Sequence, residues 1–272
     1  SPLRRGPAPA GRGGGGRVGF EGEDLLAKRP GEMRKYRGSR ISMVLQDPMT
    51  SLNPTLSIGE QVAEVVRLHQ KLRSRGLREK VVDALYRLKI PAAEMRLRDY
   101  PHQLSGGMRQ RVTSAIAMSC QPHLLIADEP TTSLDVTIQA QYLELLREVQ
   151  QKSGVSIIFV THDFGIVAAT ADIVAVMYAG KIVEMATTVE VFDSPQHPYT
   201  EALMRCLPRS GSVDHRLTDI AGQPPDLSSL PPGCAFTPRC SRAMERCQQA
   251  YPPQVEVSAG HWASCWLRCG EP

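Results

Sequence analysis

The sequence has no apolar run near the roughly 18 residues that a membrane-spanning helix requires. Its longest apolar segments, at 155–160 and 173–177, have the length of strands. The N-terminus is rich in proline, glycine and arginine and has no apolar core of a secretory signal peptide. We therefore expect a cytosolic protein, with any link to a membrane made through partners.

A complete phosphate-binding loop, G-x-x-x-x-G-K-[ST], is also missing. Residues 11–18 read GRGGGGRV and match both glycine positions of that pattern. However, Arg17 stands where the loop has lysine, and Val18 lacks the hydroxyl that would bind Mg²⁺. No strand precedes this segment, so we do not interpret it as a phosphate-binding loop.

Charge and cysteine are unevenly distributed. Residues 67–98 hold ten lysines or arginines against three acids. This stretch is either the solvated face of helices or a surface for acidic protein, lipid headgroups or nucleic acid. Five of the seven cysteines lie after residue 230. In a cytosolic protein they indicate free thiols or metal ligands rather than disulfides.

Apolar strands alternate with helical patterns over most of the chain. This order predicts an α/β fold with a mostly parallel sheet covered by helices on both faces. We expect a low-complexity segment at 1–16, a main domain at 17–192 with a helical subdomain at about 58–120, and an irregular module at 193–272, which is rich in proline and cysteine. Expected strands are 17–20, 40–45, 124–127, a buried strand at 155–160, and a hairpin of 173–178 with 181–185. Expected helices fill 58–98, 108–120 and 136–152.

The segment LSGGM, residues 104–108, places a serine and two glycines at the start of a helix. Ser105 is suited to cap that helix, and Gly106 and Gly107 leave backbone N–H groups uncovered. Free amides at a helix N-terminus attract anions, although an ordinary capped helix after a glycine loop has the same pattern.

Two adjacent carboxylates, Asp128 and Glu129, follow the apolar run Leu124–Ala127. Acids at the end of a buried strand are costly unless a cation or a reaction uses them. In phosphoryl transfer one acid binds Mg²⁺ and its neighbour activates the attacking water. Gln46 and His162 also follow strands directly, and Asp135, in the run Ser133-Leu134-Asp135, precedes a helix that it is suited to cap.

The order of these segments, Gln46, LSGGM, LLIADEP, SLD and THD, resembles that of the ATP-binding cassette (ABC) family over residues 17–185. The resemblance implies a P-loop NTPase-like fold that uses ATP and Mg²⁺. Gln46 is similar to the Q-loop glutamine, residues 104–108 to the signature motif that contacts nucleotide on the opposite subunit, and His162 to the switch histidine. Asp128 and Glu129 resemble the Walker B pair, and residues 133–135 the D-loop.

These similarities imply roles for single residues. Glu129, His162 and Gln46 would be catalytic. Asp128 and Gln46 would bind Mg²⁺, and the nucleotide would contact Ser105, Gly106, Gly107, Met108, Asp128 and Asp135. Residues 58–98 would dock membrane-spanning partners. Because residues 16–25 resemble a family segment that follows the phosphate-binding loop, we expect that the first strands, the adenine-stacking aromatic residue and the loop are missing through truncation or replacement.

The tail resembles the C-terminal extension of oligopeptide and dipeptide importer ATPases, in the segment SPQHPYT at 194–200 and in GCAFTPRC at 233–240. Four cysteines there, Cys234, Cys240, Cys247 and Cys265, have the spacing C-x5-C-x6-C-x17-C. The spacing alone fits neither a zinc ribbon nor a common ferredoxin and leaves metal binding and free thiols both open. Some importer ATPases carry a 4Fe–4S cluster on such a pattern. The resemblance therefore implies a cluster on these four cysteines, with Cys269 as the alternative to Cys265 for the fourth ligand.

The resemblance implies an ATPase subunit of a peptide importer at the cytoplasmic face of the membrane. Its partners would be two membrane permeases, a second ABC ATPase subunit and, indirectly, an extracytoplasmic substrate-binding protein, with no nucleic acid. One alternative is an incomplete cassette that donates only its signature motif to a partner. Another is an ABC protein associated with nucleic acid or ribosomes, which the basic stretch permits and the tail disfavours.

Overall fold

The computed structural model of the chain describes residues 16–132, 134–207 and 219–270. The predicted low-complexity segment falls almost wholly outside these ranges, as does Ser133 of the SLD run. The chain divides after Val160 into two compact units, whereas its composition changes after Phe192. The domain boundaries inferred from composition stay predictions.

In the first unit the strands are β1 Gly19–Phe20, β2 Glu23–Asp24, β3 Ile41–Val44, β4 Leu124–Asp128 and β5 Ser156–Val160. Its helices are α1 Pro30–Met33, α2 Pro48–Ser51, α3 Ile58–Gln70, α4 Ser74–Arg87, α5 Ala93–Arg96, α6 Gly106–Met118 and α7 Val136–Ser153. Single 3-10 turns occur at Leu25–Ala27 and Pro101–Gln103.

A parallel sheet in the order β3-β4-β5 forms the centre of this unit. The middle strand β4 has three consecutive buried residues, because both of its edges are paired and both of its faces are covered. The sheet and its helices confirm the predicted α/β fold with parallel strands.

The expectation that β5 is a buried strand was wrong. Ile158 and Val160 keep 51% and 46% of their surface exposed. Within the described ranges β5 pairs with β4 alone, so one edge of the strand and alternate side chains face outward.

Helices α3, α4 and α6 pack together, and α7 adds to the same apolar core. Ser57 and Glu60 form a reciprocal capping box that starts α3, and Asp135 caps α7. Gly59 allows close packing here, since a Cβ atom on it would lie 2.8 Å from the carbonyl oxygen of Leu97. The helical pattern predicted over 58–98 is confirmed as three separate helices.

In the second unit the helices are α8 Phe164–Thr170, α9 Thr188–Asp193, α10 Pro198–Arg205 and α11 Glu245–Gln249, with a 3-10 turn at Thr237–Arg239. Its strands are β6 Ile173–Tyr178, β7 Lys181–Thr187, β8 Val255–Ser258 and β9 His261–Ala263.

The predicted hairpin is confirmed as β6 and β7, joined by Ala179 and Gly180. Both turn residues have positive φ, as the tight turn of a two-residue hairpin requires. The tail is more regular than its composition indicated, because its last two strands extend the hairpin into an antiparallel sheet in the order β6-β7-β9-β8. No helix in the described ranges is long and apolar enough to cross a membrane.

Candidate nucleotide site and cysteine cluster

The C-terminal end of β4 carries the two predicted acids. Asp128 is the last residue of the strand, and the Glu129 amide still donates to the carbonyl of Val160 at 2.9 Å. Glu129 has a φ of 43°, a left-handed conformation that costs a non-glycine residue about 1–2 kcal/mol. Such strain is kept where the surrounding structure enforces it, often at functional sites.

The side chains of Gln46 and Thr132 both contact the Glu129 carboxylate. Gln46, just beyond β3, donates from Nε2 to Glu129 Oε2 at 2.6 Å, and the Thr132 hydroxyl donates to the same oxygen at 3.1 Å. Neighbouring parallel strands bring Gln46 and Glu129 to one sheet edge, as expected. Sequence reasoning missed Thr132, because a threonine in a turn has no distinctive pattern.

The LSGGM segment begins α6 as predicted. Ser105 is the N-cap, and its hydroxyl accepts from the Met108 amide at 3.4 Å. Ser105 and Gly106 are exposed, so this helix N-terminus is open to an anion. A Cβ atom on Gly107 would lie 2.7 Å from Cγ2 of Ile138 in α7. Glycine is therefore what lets the start of α6 approach α7.

Asp135 and His162, the two other predicted site residues, lie near the starts of α7 and α8. Asp135 is the N-cap of α7 and accepts from the Ile138 amide at 2.9 Å, so capping explains its position. His162 is exposed and belongs to the second unit, where the next residue, Asp163, caps α8. The roles of Asp135 and His162 towards a nucleotide stay predictions.

The His-Pro-Tyr segment is held by a buried carboxylate that sequence reasoning did not identify. Glu184 of β7 is 1% exposed. It accepts hydrogen bonds from the backbone amides of Gln196 and His197 at 2.7 and 2.8 Å, and Nε2 of His261 lies 2.8 Å away. The backbone at the start of this segment is therefore fixed by Glu184.

His197 completes this arrangement. Its Nδ1 accepts from the Tyr199 amide at 3.0 Å and caps α10. Burial is the main cause that lowers the pKa of His197 to about 4, opposed by the nearby carboxylate of Glu184. The imidazole is thus neutral at physiological pH.

Four of the cysteines, Cys234, Cys240, Cys247 and Cys265, line a single small cavity together with Phe236 and Arg242. The cavity has a volume of about 20 Å³, room for about one water molecule. Among the residues that the structure describes, no three His, Cys, Asp or Glu side chains are grouped as ligands of one metal ion. The predicted set is brought together, but around a space smaller than a cluster needs.

Backbone contacts fix two of these cysteines next to each other. The Cys234 amide donates to the Cys247 carbonyl at 2.8 Å. A Cβ atom on Gly233 would lie 2.0 Å from that same carbonyl oxygen, so only glycine fits there. Burial raises the pKa of the Cys234 thiol and raises that of Cys265 to about 11. These thiols are protonated at neutral pH, and a metal would have to displace their protons.

Comparisons with known proteins agree with the order of the segments. Residues 11–132 match the family described as ABC transporter, and residues 183–247 match the oligopeptide/dipeptide transporter C-terminal region. The chain is 51% identical to the dipeptide transport ATP-binding protein DppD of Bacillus subtilis, over 93% of this chain and 76% of that protein. It is 49% identical to the oligopeptide transport ATP-binding protein OppD of the same species, over 96% of this chain and 73% of that protein.

Solved structures show the same fold. CbiO1 of Clostridium perfringens, part of the ABC transporter complex cbiONQ, is 33% identical and superposes with a TM-score of 0.57 over 66% of this chain and 69% of its own. The ATP-binding cassette MJ0796, solved as a dimer with ADP and phosphate, is 24% identical with a TM-score of 0.55 over 62% and 72% of the two chains. The second similarity supports the fold alone. The chain belongs to the ATP-binding proteins of the ABC transporter family, in the branch with the oligopeptide/dipeptide transporter C-terminal region.

Proposed function

We propose that this chain is the ATP-hydrolysing subunit of an ABC importer for oligopeptides or dipeptides. The observation that carries the proposal is the contact between Gln46 and Glu129 at the C-terminal edge of the parallel sheet, where open α/β folds bind their ligands. The names of the two relatives from Bacillus subtilis support peptides as the transported class.

In this proposal Glu129 accepts a proton from the water that attacks the γ-phosphate of ATP. Asp128 and Gln46 would hold Mg²⁺, which would neutralise charge on the phosphates. His162 contacts the γ-phosphate. The Gln46 amide nitrogen is well placed to orient Glu129, because it already donates to the carboxylate.

The exposed start of α6 serves a second nucleotide site. Its uncovered amides and positive helix end are suited to phosphate oxygens. Ser105, Gly106, Gly107 and Met108 therefore contact ATP held by a second ABC ATPase subunit, and Asp135 lies at the same subunit interface.

The assembly that we propose contains two membrane permeases and two ABC ATPase subunits at the cytoplasmic face of the cell membrane. An extracytoplasmic substrate-binding protein acts with it indirectly, and nucleic acid has no part in it. Residues 58–98, which form α3, α4 and α5, would contact the permeases.

We also propose that the cavity of four cysteines binds a 4Fe–4S cluster. The set of four thiols on one cavity suits iron–sulfur ligation, and the cavity would have to widen to take the cluster. Anaerobic purification followed by absorbance spectroscopy and iron and zinc analysis tests this. Broad visible absorbance with iron supports it, and stoichiometric zinc contradicts it.

A second candidate function is an incomplete cassette that serves only the site of its partner. It is favoured by the absence of the pattern G-x-x-x-x-G-K-[ST] from the sequence. ATP binding by the isolated chain separates the two functions. Micromolar affinity contradicts the incomplete cassette, and no binding favours it.

The hydrolytic role is tested with Glu129→Gln in the assembled transporter. We expect hydrolysis to fall by about 10²–10⁴-fold, the range for loss of a general base, while ATP binding is retained. An unchanged rate would remove Glu129 from the mechanism.

A further inference from the structure

A strongly basic surface lies where α3 ends and α4 begins. Residues 67–80 hold six lysines or arginines and one glutamate, a net charge of +5, whereas the whole chain carries +4. The rest of the chain is therefore slightly negative. We call residues 67–80 the basic tip. The first turn of α4 contains no acidic residue to offset the positive end of that helix.

Three of these six cations are exposed and form no ion pair with another described residue, and Arg78 Nη2 lies 3.9 Å from Oε2 of the exposed Glu94. Arg67, Lys71 and Arg73 are exposed, and no ion pair is recorded for them in the described part of the chain. Arg75 pairs with Glu79, but its own side chain remains 92% exposed, and such pairs contribute little. The positive charge of the tip therefore faces solvent.

An exposed leucine accompanies the charge. Leu68 keeps 71% of its surface exposed, directly beside Arg67 on α3. The two other leucines of the tip are less exposed, since Leu72 packs against the core and Leu77 is 9% exposed. An apolar side chain among long basic side chains is typical of a surface that rests on a membrane interface.

We propose that the basic tip binds the anionic phospholipid headgroups of the membrane. Long, unpaired lysine and arginine side chains suit a fluid layer of phosphates, and Leu68 gives apolar contact at the headgroup boundary. This proposal rests on the proposed function only because an importer subunit works beside a membrane.

Two other partners fit the tip less well. Single-stranded nucleic acid is bound through aromatic side chains that stack on bases, and residues 67–80 contain no Phe, Tyr or Trp. Their one ring, on His69, lies against Gly38. An acidic protein would also be attracted, but Leu68 stands on an exposed helix end and not in a groove that would receive a partner side chain.

Vesicle flotation of the full chain tests the proposal. The probes are phosphatidylcholine vesicles with and without phosphatidylglycerol, at low and physiological ionic strength. We expect binding only to the anionic vesicles, weakened by salt. Reversal of three charges, Arg67→Glu with Lys71→Glu and Arg73→Glu, should lower the partition coefficient about a hundred-fold. Leu68→Ser should lower it by a smaller factor of roughly three to ten.

The matched control reverses three exposed cations outside the tip, Arg34→Glu with Lys35→Glu and Arg147→Glu, which gives the same net charge. Circular dichroism and thermal unfolding establish that each variant is folded. Equal loss in the control, or no binding of the wild-type chain to anionic vesicles, overturns the proposal. So does tip-dependent, salt-sensitive binding to DNA that exceeds binding to vesicles.

The outcome is separable from that of the proposed function. Vesicle binding does not require ATP hydrolysis, so an inactive Glu129→Gln chain must still bind. A chain that powers peptide uptake but ignores anionic vesicles removes only the inference about the tip.

Discussion

Gln46 and Glu129 lie 83 residues apart in the sequence and are joined by a hydrogen bond of 2.6 Å from Nε2 to Oε2. The bond connects the end of β3 to the end of β4, two neighbouring strands of the parallel sheet. A change in the position of Gln46 would therefore be transmitted directly to the carboxylate that we propose as the general base.

Thr132 should be a positioning residue for Glu129, since its hydroxyl donates to Oε2 at 3.1 Å. We expect Thr132→Val to lower kcat for ATP hydrolysis by about 10–100-fold, as loss of one hydrogen bond to a charged group implies. KM for ATP should not change. Steady-state kinetics of the assembled transporter measure this, and Thr132→Ser should restore the rate. Equal rates for the valine and wild-type chains would contradict the role.

Gly107 should be required for the approach of α6 to α7. Gly107→Ala places a Cβ atom 2.7 Å from Cγ2 of Ile138, and such overpacking costs about 1–3 kcal/mol of unfolding free energy. Denaturant unfolding measures it. Gly106→Ala is the control, because nothing lies within 4 Å of a Cβ atom there.

The same clash predicts coupling between the two helices. In a double-mutant cycle, Ile138→Ala should relieve the cost of Gly107→Ala, giving a coupling energy of about 1 kcal/mol or more. Additive effects would show that the two positions do not meet in solution.

Gly233 should be needed to build the cysteine cavity. A Cβ atom there would lie 2.0 Å from the Cys247 carbonyl oxygen, and a backbone atom cannot move aside as a side chain does. We expect Gly233→Ala to displace Cys234 and, under the proposal that the cavity binds a 4Fe–4S cluster, to abolish the visible absorbance that the cluster would give. Gly270→Ala has free space around its Cβ atom and should keep the absorbance of the wild-type chain. Visible absorbance in both variants would contradict the close packing of Gly233 against the Cys247 carbonyl oxygen.

The buried histidine gives a pH dependence with a definite sign. The pKa of His197 is lowered by burial to about 4, whereas in the unfolded chain it is about 6.5. The unfolded state binds more protons between these values, so stability is retained above pH 6.5 and falls as the pH drops towards 4.

His197→Asn should remove the contribution of His197 to the fall in unfolding free energy between pH 6.5 and pH 4. Asparagine keeps a helix-capping side chain at the start of α10 but does not titrate. Urea unfolding of the wild-type and variant chains between pH 4 and 7 measures this contribution. The loss of unfolding free energy from pH 7 to pH 4 should be greater in the wild-type chain by about 3 kcal/mol. Parallel curves for the two chains would mean that His197 is not buried in solution.

Much of the first unit was predictable because its signals are local. Capping residues such as Ser105 and Asp135 act on amides two or three positions away, and the spacing of apolar residues marks α6 and α7 directly. The hairpin of β6 and β7 follows from Ala179-Gly180 between two apolar strands. These are short-range rules that need no knowledge of the fold.

Long-range pairing was less predictable. The exposure of Ile158 was not expected, because an apolar strand looks the same whether one or both of its edges are paired. The strands β8 and β9 were missed in a segment rich in proline and cysteine. Strand β9 pairs with β7, whose partner residues lie 77 and 79 positions earlier, and β8 pairs with β9.

By itself the sequence determined the family, since the ordered segments from Gln46 to His162 are a linear pattern, and the same segments supplied the candidate site residues. Only the tertiary structure decided which of them meet. It joined Gln46 to Glu129, added Thr132, and placed Gly107 against Ile138. The physical reason is distance along the chain, because backbone geometry fixes neighbours within a helical turn, whereas contacts across many residues exist only once the sheet and core have formed.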